Sequence, residues 1–276
     1  MVKLNIKISP ISFKLEKKLS KYIVISGNYR ELNDKHLNLI NKYIKNKPID
    51  INTILSMRSA YMNIKNINNH SRIRNNANEF LKLYKKGISI SEISKEYDLS
   101  PMGILRSIFE KMNYSKEQIK NMFLISNNLS EFDAKQIEFV KKYDIFNKLD
   151  QSNQANRSEE FELLIEKFLI KNNVKYKTQN QLSQEQTIKF GRPINTPDFL
   201  IQSELFINNK KINWIDAKNF YGANTFLINK KINKQIKKYV KSYGFGSIIF
   251  IINFSEMLHF HNVLLIDYKN LIKIEI

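Results

Sequence analysis

No cysteine occurs in this 276-residue chain, which excludes a disulfide framework and any thiolate zinc site and fits a reducing compartment. Glycine and proline are scarce, at 7 and 5 residues, so the few present can be read as punctuation. Acidic residues are short as well: 26 Asp and Glu face 45 Lys and Arg, a formal charge of +19. A pI near 9.7 points to a polyanionic partner, nucleic acid before an anionic membrane. The abundance of Lys, Asn and Ile is also what an AT-rich coding sequence produces, so charge supplies about half an argument. Long apolar runs are missing too. The longest, SIIFIINF from Ser247 to Phe254, is of strand length, short of the roughly 18 residues a spanning helix needs. The opening MVKLNIKISPISFKLEKK lacks the apolar core of a signal peptide. These absences lead to the expectation of an intracellular protein of nucleus or cytoplasm that engages no membrane.

What is present centres on Thr196 to Phe220, TPDFLIQSELFINNKKINWIDAKNF. Two stretches rich in Ile, Leu, Phe and Trp flank Asn208-Asn209-Lys210, which has hairpin turn chemistry. Side chains alternate along a strand, so Trp214, Asp216, Lys218 and Phe220 share one face and Ile215 and Ala217 the other. The hairpin then carries Asp198 beside Asp216. Two carboxylates beside a lysine suit phosphate chemistry: hard oxygens hold Mg²⁺, and an ammonium near the attacking water offsets negative charge in the transition state. An Asp-x-Lys pair on a strand is also a common cross-face ion pair that needs no function.

Along the chain, residues 1–32 alternate weakly at Leu4, Ile6 and Ile8 and read either as a short strand or as an arm. Residues 33–150 read as a helical domain. Leu37, Ile40, Tyr43 and Ile44 recur at helical spacing, Pro48 breaks the pattern, and Ile51, Ile54 and Leu55 restart it. The run EFLKLYKKGISISEISKEYDLSPMGILRSIFEKM has helix-turn-helix punctuation. Gly87 ends one helix, Ser89 or Ser91 caps a second, and Ser100 with Pro101 starts a third. If that third helix lies in a major groove, Met102, Gly103 and Arg106 face DNA; an ordinary three-helix packing unit has the same punctuation. Helix is expected to continue from Lys116 to Phe146, and the polar run Asp150 to Arg157 reads as a domain boundary.

Residues 151–276 change character. Ser158 caps a strongly amphipathic helix with Phe161, Leu164, Ile165, Phe168 and Leu169 on its apolar side. VKYKTQ reads as a strand and Leu182 to Asn195 as a loop. Phe226 to Tyr243 reads as a helix carrying Lys230, Lys231, Lys234, Lys237, Lys238 and Lys241 with no acid among them, a face suited to phosphates. Gln235 and Tyr239 stand one turn apart on it. Gly244 and Gly246 end it, and SIIFIINF and NVLLIDY supply two further strands. His259 and His261 read as exposed strand residues without a third ligand, and no zinc is assigned.

The order helix, strand, strand, strand, helix, strand, strand, with Asp198 on the second strand and Asp216-Ala217-Lys218 on the third, resembles the PD-(D/E)xK nuclease fold. Within it, Thr196-Pro197-Asp198-Phe199, Trp214-Ile215-Asp216-Ala217-Lys218, Gln235, Tyr239 and Gly244-Phe245-Gly246 look like the codanin-interacting nuclease family, also called the TPD-motif family, whose members carry a helical N-terminal half. The fold this implies is α/β: a restriction-endonuclease-like mixed sheet flanked by helices, behind an all-α domain containing a helix-turn-helix. The resemblance implies that Asp198 and Asp216 are ligands to Mg²⁺, with Mn²⁺ able to substitute, and that Lys218 is the catalytic lysine. A helix glutamate would complete the acidic set, Glu162 before Glu160 or Glu166, and the Gln235 amide would reach a phosphate or the attacking water. Asp216 stands where animal members tend to have Glu, which keeps an oxygen ligand on a shorter arm. Arg106, Tyr239 and the six helix lysines are the residues expected to contact nucleic acid. The activity implied is hydrolysis of phosphodiester bonds in DNA, of branched or junction form among the options. RNA as substrate, or a silent binding scaffold on the same fold, is the alternative. A codanin-like partner is implied by resemblance alone, and nucleases of this fold often work as pairs of subunits.

Overall fold

The computed structural model describes residues 1–47, 49–125, 129–146 and 152–272, without the side chains of 152–156. The chain opens on β1 (Val2–Leu4) and continues as α1 (Phe13–Ile23), α2 (Asp34–Ile44), α3 (Ile51–Asn68), α4 (His70–Asn75) and α5 (Ala77–Lys85). Then come α6 (Ile90–Tyr97), α7 (Pro101–Lys111), α8 (Lys116–Leu124), α9 (Glu131–Tyr143) and α10 (Ser152–Lys171). From there strands and helices alternate: β2 (Tyr176–Thr178), α11 (Gln179–Phe190), β3 (Phe199–Ile201), β4 (Leu205–Ile207), β5 (Lys210–Lys211) and β6 (Trp214–Lys218). The last elements are α12 (Phe226–Tyr243), β7 (Gly246–Phe250), β8 (Val263–Asp267) and α13 (Tyr268–Leu271). The fold is therefore α/β. Pro48, residues 126–128 of the helix expected from Lys116 to Phe146, and residues 150–151 of the expected boundary lie outside the described residues.

The chain divides into two compact units, one of Met1–Lys18, Ile49–Met57 and Asp150–Ile276, the other of Leu19–Pro48 and Arg58–Leu149. The first residues are thus not an arm. β1 lies parallel to β4, Val2 opposite Leu205 and Leu4 opposite Ile207. The Asn208 side chain clasps Ile6 from both sides, accepting from its N–H at 2.7 Å and donating to its carbonyl at 2.9 Å. Leu4 and Ile6 are buried in the core of that unit, so the weak alternation is that of a short strand.

In the all-helical unit, the expected punctuation forms. Ser89 caps α6 in a reciprocal capping box with Glu92, Asp98 closes α6 in the left-handed region at φ 53°, and Ser100 caps α7 with Pro101 in its first turn. The third helix is also the packing centre of this unit. α7 touches α4, α5, α6, α8 and α9, and Pro101, Met102, Ile104, Leu105, Ser107, Ile108 and Phe109 are all buried. At Gly103 a Cβ would stand 2.7 Å from Ile73 Cδ1, so the helix N-terminus is pressed against α4. Arg106, expected on DNA, is half-buried with its guanidinium 5.7 Å from the centre of the Phe123 ring. α7 is the central helix of this packing unit, and its remaining side carries the half-buried Gly103 and Arg106 and the exposed Glu110 and Lys111. The helix expected from Lys116 to Phe146 is two helices, α8 and α9.

In the other unit the five-stranded sheet runs β2-β3-β6-β7-β8. β2, β3 and β6 are antiparallel neighbours, and β6, β7 and β8 are parallel. One face packs on Phe161, Ile165 and Leu169 of α10 through Ile215, Ile249 and Ile266. The other packs on Ile232, Ile236 and Tyr239 of α12 through Trp214, Ile248 and Leu265. The expected two-stranded hairpin is split. Its inner parts, β3 and β6, belong to the large sheet, and its outer parts, β4 and β5, join β1 in a three-stranded sheet. Asn208 and Asn209 make the turn at φ 48° and 61°, the left-handed pair that a tight hairpin requires.

Candidate active site

β6 carries the site because its alternation puts Trp214, Asp216 and Lys218 toward α12 and Ile215 and Ala217 toward α10. Pairing of β3 with β6 sets Phe199 opposite Ile215, and one more step of that register brings Asp198 opposite Asp216. Asp198 Oδ2 accepts a hydrogen bond from the Ala217 N–H at 2.6 Å, which pins the TPD segment onto the strand that bears the second aspartate and the lysine.

α12 supplies the next layer. Thr225 caps it and Gly244, at φ +78°, ends it. Gln235 and Tyr239 lie one turn apart on the side facing Asp216. The Gln235 amide donates to Asp216 Oδ1 at 3.1 Å and to the Tyr239 hydroxyl at 3.0 Å, and its carbonyl oxygen accepts from Lys218 Nζ at 3.4 Å. Tyr239 in turn donates to the Thr196 carbonyl at 3.2 Å. Lys218 Nζ is ion-paired with Asp216 Oδ2. The chain Thr196, Tyr239, Gln235, Asp216, Lys218 is continuous, so each member's rotamer is set by its neighbours. Tyr239, expected to contact nucleic acid, is buried, with its hydroxyl committed at both ends. It positions Gln235 instead.

Trp214 fixes the depth of the strand. It is fully buried, donates through Nε1 to the Gly244 carbonyl at 2.9 Å, and stacks edge-on against Tyr239 at 5.3 Å between centroids. A Cβ on Gly246 would fall 2.1 Å from Trp214 Cε2, so only glycine lets β7 lie against that ring.

Negative charge is crowded here. Asp216 is fully buried while the Lys218 side chain keeps 14% of its exposure. Burial raises the Asp216 carboxyl above its ordinary range, against the pull of Lys218. Asp198 is pushed up to about 8, first by burial and then by Asp216, with Ala217 N–H and Lys218 opposing. Glu162 on α10 is raised by burial and by repulsion from Asp216. Glu160 is exposed and Glu166 accepts from the Tyr176 hydroxyl at 2.8 Å, so of the three glutamates Glu162 is the one that feels the site.

An acid held above its ordinary 3.8 favours the folded state while protonated, and that contribution drains away as pH rises through the folded value. In chelator, wild-type stability relative to Asp198→Asn therefore falls between pH 4 and pH 8, about the span from the ordinary value to the raised one. Urea melts at the two ends of that span check the sign.

Protons offset the crowding in this arrangement, and a divalent cation could do the same. Mg²⁺ commonly takes one or two carboxylates and completes its shell with water and phosphate oxygens. The Asp198 and Asp216 pair, all hard oxygen and short of positive charge, fits that pattern. The expected three-carboxylate set does not form: among the described residues no three histidine or acidic side chains are placed to hold one ion together, and Glu162 stands outside the pair. His259 and His261 are exposed in the turn before β8 rather than on a strand.

All six expected lysines of α12, from Lys230 to Lys241, are exposed, and no acid interrupts the helix. Sequence reasoning missed α11, read as loop. Thr178 caps it in a capping box with Gln181 and Gly191 ends it at φ +75°, signals that were there to be used. It also missed Gln186, which closes the segment leading into Asp198. Among the described residues no helix is long and apolar enough to cross a membrane.

The sequence profile described as protein of unknown function, TPD sequence-motif, matches residues 130–269. An uncharacterized protein of Acanthamoeba polyphaga mimivirus is 27% identical over 211 residues, which span 72% of this chain and 74% of the viral one. No solved structure matches. Half of the chain lies inside the profile match, including Asp198, Asp216, Lys218, Gln235 and Tyr239: this protein belongs to the TPD sequence-motif family.

Proposed function

We propose that the protein is a metal-dependent nuclease that hydrolyses phosphodiester bonds in DNA, built on a PD-(D/E)xK-like sheet and akin to the codanin-interacting nucleases. The observation that carries this reading is the buried Asp216, bridged to Lys218 and Gln235 beside an Asp198 whose carboxyl is held up to about 8. Two carboxylates forced together under a lysine are costly to the fold, and perturbed groups of this kind cluster at sites of chemistry.

Asp198 and Asp216 would hold the cation. Bound there, Mg²⁺ or Mn²⁺ would polarise a phosphoryl oxygen and acidify a water. Lys218, braced by Asp216 and Gln235, orients the attacking water and offsets the charge that grows on the phosphoryl oxygens. Gln235 holds the ammonium against the strand, and Tyr239 holds Gln235. The lysine face of α12 binds phosphates along the backbone and makes affinity salt-dependent.

Labelled branched, single-stranded and duplex DNA, with RNA of matched sequence, are incubated with the protein in Mg²⁺ or Mn²⁺ and in EDTA. DNA strand breaks that require the metal are the expected result. Breaks in RNA alone would reassign the substrate. Binding with a steep salt dependence, indifferent to metal and to Asp198→Asn, and without breaks in any nucleic acid, would replace the enzyme with a binding protein.

A further inference from the structure

Between β2 and the TPD strand the chain builds a tip. α11 ends at Phe190, Gly191 turns the chain, and residues 192–196 run back to Asp198. From Gln186 to Pro197 the sequence QTIKFGRPINTP contains no acid. Its apolar side chains are turned outward: Ile188 is 88% exposed, Phe190 52% and Ile194 49%. Lys189 and Arg192 are exposed among them, and the Lys189 ammonium lies 5.2 Å from the centre of the Phe190 ring.

The tip is rigidly mounted. Gln186 accepts from the Ile194 and Asn195 N–H groups at 2.7 and 2.9 Å and donates to the Asn195 carbonyl at 2.7 Å. The Tyr243 hydroxyl of α12 donates to that same carbonyl at 2.7 Å, and Asn195 Nδ2 donates to Ser242 Oγ at 2.7 Å. One residue on, the Thr196 carbonyl accepts from Tyr239, the first member of the chain that ends on Asp216 and Lys218. The tip is therefore framed on the helix that holds the site, and its returning segment leads directly into the site.

We infer that this tip is a wedge for double-stranded DNA, with Ile188 and Phe190 entering an opened base step beside the scissile phosphate and Lys189 and Arg192 gripping the phosphates that flank it. Apolar wedges of Phe, Leu, Ile, Met or Pro between basic residues are what nucleic-acid kinking uses. Ile188 and Phe190, two residues apart, leave the helix on roughly opposite sides. That gives two apolar cheeks around a narrow end rather than the flat face a protein partner would need. The absence of acid over the whole tip suits a polyanion in contact with it.

The inference rests on the nuclease reading for its substrate, and the test separates the two. Forked duplexes carrying 2-aminopurine at successive positions around the branch are bound by the full chain in EDTA, so that unstacking is read without cleavage. Wild-type binding raises the fluorescence severalfold at one or two adjacent positions. A double variant, Ile188→Ser with Phe190→Ser, folds as wild type by circular dichroism, binds with near wild-type affinity and loses the rise. Lys189→Ser with Arg192→Ser weakens binding and lowers the salt slope by about two. A rise that survives the Ile188 and Phe190 substitutions, the absence of any rise, or a protein that binds no DNA would overturn the wedge. If DNA is cut in Mg²⁺ without any rise, the wedge fails and the nuclease stands. If the rise depends on the tip while no DNA is cut, the wedge stands and the nuclease reading fails.

Discussion

Lys218→Ala is expected to lower the single-turnover rate of metal-dependent DNA cleavage by about 10²–10³-fold at neutral pH, the loss typical when a charged donor to a developing anion is removed. The ammonium is the one cation ion-paired with the buried Asp216 among the described residues, and Gln235 braces it on the other side. Its removal has a second consequence. Lys218 opposes the rise in proton affinity of Asp198, Asp216 and Glu162, so without it all three hold their protons more tightly. The residual activity should therefore move to higher pH, since deprotonated aspartates are needed to take a cation. Lys218→Arg should not restore the rate, because a planar guanidinium cannot take the place of a compact ammonium between a strand carboxylate and a helix amide. A wild-type pH profile with a lower ceiling would assign the lysine to substrate binding alone.

Trp214→Ala should cost about 3–5 kcal/mol of folding stability, the usual range for truncating a large buried aromatic. The indole fills the space between β6 and α12, covers Gly246 and holds the Gly244 carbonyl. Its loss leaves a cavity and an unpaired carbonyl at the end of α12. Tyr239 loses its ring neighbour as well, so Gln235 loosens and cleavage falls alongside stability. Trp214→Phe retains much of the packing and should cost less. Urea denaturation measures both variants, and equal midpoints for wild type and Trp214→Ala would mean that the strand is not held by this contact.

The parts of the site that were legible in the sequence are those with local signatures. Asp216 and Lys218 share a strand face by alternation, Gln235 and Tyr239 share a helix face by spacing, and the Asn208-Asn209 turn returns the chain toward Asp198. What escaped notice depends on distant partners. The alternation at Leu4 and Ile6 allows β1 as one of two readings, and the choice is made by a strand about 200 residues away. The third helix of the helical unit has the same caps whether its N-terminus is open or buried; Ile73, far back in the chain, closes it. α11 buries only Leu182 among its described residues. Such a helix has no apolar period to find and is held by capping and by Gln186. Tyr239 shares a helix face with Gln235 by spacing, and only its bond to the distant Thr196 carbonyl shows that its hydroxyl is committed within the protein.

On the proposed nuclease reading, the Asp198, Asp216 and Lys218 cluster serves hydrolysis rather than the fold. Asp216→Asn separates the two most directly, measured for DNA cleavage in Mg²⁺ and for the urea midpoint on one preparation. Asparagine keeps an acceptor for Gln235 and removes a charge that burial already disfavours. The prediction is a protein that no longer cuts DNA and is as stable as wild type or more so. A variant that cuts DNA as wild type does, or one that is destabilised while wild type itself cuts nothing, would contradict the claim and leave the cluster as a structural ion pair.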